Sequence, residues 1–170
     1  LSRYLPSNKF QFEMINPDLN RDRYPEGDPF VPSLYSQDYL FACVMLSNPL
    51  FWHEMQFLSE ERKAQLLPVM QLWKEHRDRF AKLDVMPVGE KPSGRSITGF
   101  LLSEKEKSEY LLVFREVTDR VGASFAVKGE LVGAEVLFSN ASATASVTAE
   151  GVAVSLSEPR SWALVRLTTK

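Results

Sequence analysis

The sequence predicts an α/β region followed by an all-β region: the last units of a (β/α)8 barrel over residues 1–86, then an antiparallel β-sandwich over residues 90–170. Three observations lead there. The character of the chain changes at Met86-Pro87-Val88-Gly89. Before that point come a short apolar run, a proline-rich loop, a second apolar run and one long amphipathic stretch, which is the order of a βαβα pattern. After it, short apolar runs alternate with turn signals, as in a sandwich. The chain opens on Leu1-Ser2-Arg3 without Met, so the expectation is the tail of a larger protein.

Taken in order, Phe10-Gln11-Phe12-Glu13-Met14-Ile15 is rich in aromatic and β-favouring residues and stops at Asn16-Pro17-Asp18, which fits a buried strand running into a loop. Residues 16–33 carry Pro17, Pro25, Pro29 and Pro32. Proline fixes φ and donates no hydrogen bond, so this is a long irregular loop, and long loops in compact domains tend to be functional. Ser33 or Ser36 can cap a short helix through Asp38. The run over residues 39–46 is continuously apolar, as for an element covered on both faces; its periodicity fits strand or helix, and it serves as the second strand of the barrel reading. Asn48-Pro49 ends it, and residues 50–55 follow as a short helix or turn.

Ser59 is a good N-cap, and Glu60 and Glu61 suit the positive end of a helix dipole. Leu66, Met70 (or Val69), Trp73, Phe80 and Leu83 recur at helical spacing, so Trp73 is expected to be buried. Lys63, Lys74, Arg77 and Lys82 mark the opposite face, His76 belongs to a solvated charge run, and Pro68 predicts a kink. Beyond Pro92-Ser93-Gly94 the expected strands are residues 97–102, 110–115, 123–128, 131–139, 144–148, 152–156 and 162–168. In the last of these Arg166 among apolar residues predicts one wet face.

Composition bounds the function. The 170 residues suffice for one domain or two small ones. The chain is 44% apolar and 25% charged, which is ordinary for a soluble globular protein. A net charge of −2 gives no electrostatic reason to expect nucleic acid or an anionic membrane as partner. Cys43, the lone cysteine, cannot form an internal disulfide and reads as a buried, inert thiol within its apolar run. That run is well short of the roughly 20 residues a membrane helix needs. The sequence contains no glycine-rich phosphate loop, no metal-ligand spacing and no Cys/His cluster, so no metal and no cofactor is expected.

The segments Ser33-Leu34-Tyr35-Ser36-Gln37-Asp38-Tyr39-Leu40-Phe41-Ala42 and Ser47-Asn48-Pro49-Leu50-Phe51-Trp52-His53-Glu54, followed by a long helix, Met86-Pro87-Val88-Gly89 and a β-rich half, resemble the C-terminal part of glycoside hydrolases of the α-galactosidase (melibiase) clan. The resemblance lies in order and spacing over nearly the whole chain. It implies retaining glycosidase chemistry with two carboxylates, one nucleophile and one acid/base. In the family these lie on earlier barrel strands, and no position here matches either motif, so no catalytic residue is assigned. Glu13, Asp38 and Glu54 are carboxylates without the pairing this chemistry needs. The expected function is thus a C-terminal fragment of a glycoside hydrolase acting on α-linked sugars, inactive by itself and prone to self-association through open strand edges, with a carbohydrate substrate. The alternative is a non-catalytic carbohydrate-binding or structural β-sandwich module.

Barrel sites sit at the C-terminal ends of the strands. That nominates Asn16, Asn48 and Trp52 as substrate-binding residues, with Asn20, Arg21 and Ser47 nearby and the 17–33 loop as a wall. Amide groups bind sugar hydroxyls, and an indole face stacks on a sugar ring. The structural alternatives are a core anchor for Trp52, a turn role for Asn48, and a strand-edge or buried paired carboxylate for Glu13.

Overall fold

The computed structural model describes residues 4–170, the side chains of His53 and Glu54 excepted. The Leu1-Ser2-Arg3 opening and the Glu54 carboxylate of the sequence reading lie outside the described residues. The chain forms two compact units, Leu1–Ser7 with Lys82–Lys170 and Asn8–Ala81. Ten strands in three sheets dominate the described residues, with one long helix.

The smaller unit contains β1 (Gln11–Met14), α1 (Gln37–Ala42), β2 (Asn48–Phe51) and α2 (Glu60–Phe80). The strands pair in parallel, Gln11 opposite Asn48 and Met14 opposite Phe51. Residues 39–46, expected as a strand, are instead the body of α1 and a following turn; the true second strand is Asn48–Phe51, which begins at the Asn48-Pro49 expected to end one. A short apolar run bounded by turn residues fits either element, and here Tyr39, Phe41, Ala42 and Met45 are buried at helical spacing. The barrel expectation fails with it. Parallel sheets are covered on both faces, yet Gln11, Phe12 and Glu13 are all exposed and the sheet stops at two strands. The described residues are mostly β and form no (β/α)8 units.

Helix α2 starts as the sequence suggests, the Ser59 hydroxyl accepting from Arg62 N at 3.2 Å, and it continues through Pro68. Its buried stripe is Arg62, Leu66, Val69 and Phe80. Trp73 is only half-buried: its indole donates to Met45 O at 2.8 Å, meets Phe41 edge-on and carries Arg77 over its ring. His76 is half-buried too, stacked on Phe80. Cys43 caps α1 and is exposed, not buried.

The larger unit holds β3 (Asp84–Gly89), β4 (Ile97–Glu104), β5 (Lys107–Arg115), β6 (Gly122–Phe125), β7 (Leu131–Ser139), β8 (Ala143–Thr148), β9 (Gly151–Leu156) and β10 (Ser161–Thr169). They make two antiparallel sheets, ordered β3-β4-β5-β10-β7 and β6-β9-β8. Residues 86–89, read as a linker, thus belong to an edge strand paired with β4. Leu111, Val113, Val152, Val154, Ala163 and Val165 bring both sheets into one core. In β10 the expected wet face is confined to Arg166 and Thr168, because Trp162 and Leu164 on that face are fully buried. Gly151 opens β9 with φ 143°, and a Cβ there would lie 2.2 Å from Phe125 O, so that turn admits only glycine.

Candidate functional site

Asn16 follows β1 at its C-terminal end. It is buried, and its carboxamide oxygen accepts from Asp18 N at 3.1 Å, turning the chain into the loop. Trp52 follows β2 at the same end and is 57% exposed. Asn48 opens β2, so it lies at the opposite end of the parallel pair. Its side chain donates to Asn8 O and its backbone N–H to Phe10 O, which ties the two strand starts together. The structure therefore brings two of the three nominated residues to one end and gives the third a structural task. Glu13 is exposed on its strand.

A polar cleft of about 360 Å³ is lined by Asp18, Arg21, Ser36, Ser59, Arg62 and Gln65 among others; neither Asn16 nor Trp52 is among its lining residues. Arg62 organises it. Its guanidinium donates to both Asp18 carboxylate oxygens, at 3.2 and 3.1 Å, to Tyr35 O at 2.6 Å and to Ser33 O at 3.1 Å. Arg21 pairs with the same carboxylate from the solvent side. The hydrogen bond from Arg62 holds the Asp18 carboxyl below its ordinary value; partial burial opposes this and Arg21 reinforces it. One side chain of α2 thus fastens both ends of the 17–33 loop. Behind the cleft Gln37 is fully buried, its amide donating to Ile15 O and its backbone N–H to Gln65 Oε1.

Sequence reasoning found the loop but missed Arg62 and Asp18. A signal existed. Arg62 stands four residues before Leu66 on the buried stripe, and a cation in the first turn opposes the helix dipole. Such a residue stays buried only when other groups satisfy it.

Among the described residues no group of three His, Cys, Asp or Glu could hold a metal ion, and no helix is long and apolar enough to cross a membrane. No protein-family model, no curated protein and no solved structure matches the chain.

Proposed function

We propose that this chain is a non-catalytic portion of a glycoside hydrolase acting on α-linked sugars, in which the smaller unit contributes a sugar-contacting rim and the larger unit is a structural all-β module. The observation that carries the reading is that the smaller unit presents both a polar cleft, lined by carboxylate, guanidinium and amide groups, and, outside that lining, an exposed indole at Trp52. Sugars are bound by such a combination, since ring C–H groups stack on an aromatic face and hydroxyls meet amide, carboxylate and guanidinium groups. The cleft falls within the range of small-ligand sites, roughly 300–1,000 Å³. The sugar class, α-galactoside-like, rests on the resemblance of the segments 33–42 and 47–54 alone, since the strand over 39–46 and the linker at 86–89 that completed the order are a helix and an edge strand. The catalytic pair is assigned to no residue of this chain. In the larger unit Trp162 is fully buried and Tyr110, Phe114 and Phe125 are buried as well, so none of these four aromatics offers a stacking face.

Titrating the chain with α-galactosides while following tryptophan fluorescence tests the reading. Weak millimolar binding is expected, lost in Trp52→Ala at an unchanged melting temperature, together with no turnover of aryl α-galactosides. Turnover by the chain, or the absence of any α-galactoside binding, overturns it.

A further inference from the structure

We propose that the outer edge of β1 pairs with the same edge of a second copy, giving a symmetric dimer built on a four-stranded sheet in the order β2–β1–β1–β2.

The ladder geometry singles out this edge. Asn48 N–H donates to Phe10 O at 2.9 Å, and Gln11 is the register partner of Asn48. In a parallel ladder, backbone groups of alternate residues face the partner strand. Phe10, Phe12 and Met14 therefore direct their N–H and C=O toward β2, and Gln11 and Glu13 direct theirs outward. On β2 the outward residues are Pro49 and Phe51. Pro49 has no N–H, so the outer edge of β2 lacks a donor, which blunts it as a template. The outer edge of β1 keeps both donors and both acceptors, carries neither proline nor bulge, and its residues Gln11, Phe12 and Glu13 are all exposed.

The edge is also complementary to itself, which selects a second copy as occupant. A two-fold axis beside Phe12 sets Gln11 opposite the partner subunit's Glu13, and Glu13 opposite the partner subunit's Gln11. Each of these antiparallel pairs exchanges two backbone hydrogen bonds. The side chains meet as amide and carboxylate, so no like charges face each other. Phe12, 46% exposed, meets its own copy in the non-hydrogen-bonded position, where cross-strand Cβ atoms approach to about 5 Å. The contact is isologous and closes at two subunits.

Sedimentation velocity of the 170-residue chain from about 1 to about 100 μM tests this. A reversible monomer–dimer equilibrium is expected. Glu13→Pro, which removes an outward N–H and leaves the β2-facing groups intact, should weaken dimerisation at least about tenfold. Gln11→Lys places an opposite charge across from the partner subunit's Glu13 and should strengthen it a few-fold, a gain that no loss of folding can imitate. A monomer throughout the range overturns the proposal, and so does self-association that ignores both substitutions.

Discussion

The two units solve the problem of holding a chain together in opposite ways. In the larger unit, apolar residues from two antiparallel sheets meet in one core, and nearly every residue of β5 from Tyr110 to Arg115 is buried. The one buried cation in that strand, Arg115, is satisfied by the carbonyls of Thr118 and Leu156 without any carboxylate. In the smaller unit the strands are four residues each, the sheet ends in exposed aromatics at Phe12, Phe51 and Trp52, and the long loop is fastened by a single guanidinium. Apolar burial spreads its stabilisation over many contacts, whereas a polar clasp concentrates the dependence of a whole loop on one side chain. The unit with the shorter strands is the one that displays the candidate site.

Three substitutions break or sharpen this contrast. The largest effect belongs to the apolar core. Trp162 is fully buried and stacked on Phe138, so Trp162→Ala should cost roughly 3–5 kcal/mol, read as a lower denaturant midpoint. An unchanged midpoint would show that the larger unit does not depend on its core.

The clasp comes next. Arg62→Ala leaves the Asp18 carboxylate with Arg21 alone, frees two carbonyls and should cost about 2–3 kcal/mol, less than a fully buried pair because Asp18 is partly solvated. The pH dependence has a defined sign. Asp18 has a depressed folded value, so its contribution is complete above its ordinary value of 3.8 and fades as pH falls through the folded one. Proteolysis within residues 17–33 should accelerate on acidification in the native chain. In Arg62→Ala it should be fast already at neutral pH, and equal rates in the two proteins would remove the clasp from the account.

The smallest effect is local. Arg120 holds Glu90 through two hydrogen bonds, at 2.5 and 2.6 Å, and Ile97 N–H adds a third. Led by the Arg120 bond, these lower the Glu90 carboxyl to about 2. Carbon-detected NMR titration should place its midpoint there and return it toward the ordinary range in Arg120→Ala, with little change in stability because the pair is exposed.

How much was legible differs by unit, because the signals that mark their elements differ in range along the chain. Antiparallel strands announce themselves locally, through short apolar runs between turn residues. Residues 131–139 were read to the residue, and most of the other expected strands shift by only one to three residues at an end, 123–128 (Gly122–Phe125 in the structure) being cut short. The Ser59 cap and the start of α2 were equally local. Residues 39–46 carried no such information, because an unbroken apolar run is compatible with strand and helix alike, and burial against α2 decided for α1.

Of the candidate site, the sequence by itself determined the loop with its prolines and the aromatic Trp52. It could not determine that Asn48 starts a strand rather than ending one, nor that Arg62 reaches 44 residues back to Asp18 and 27 back to Tyr35. Turn and strand propensities act over a few neighbouring residues. Strand register, and the satisfaction of a buried charge, depend on partners distant in sequence, and only the folded chain brings those together.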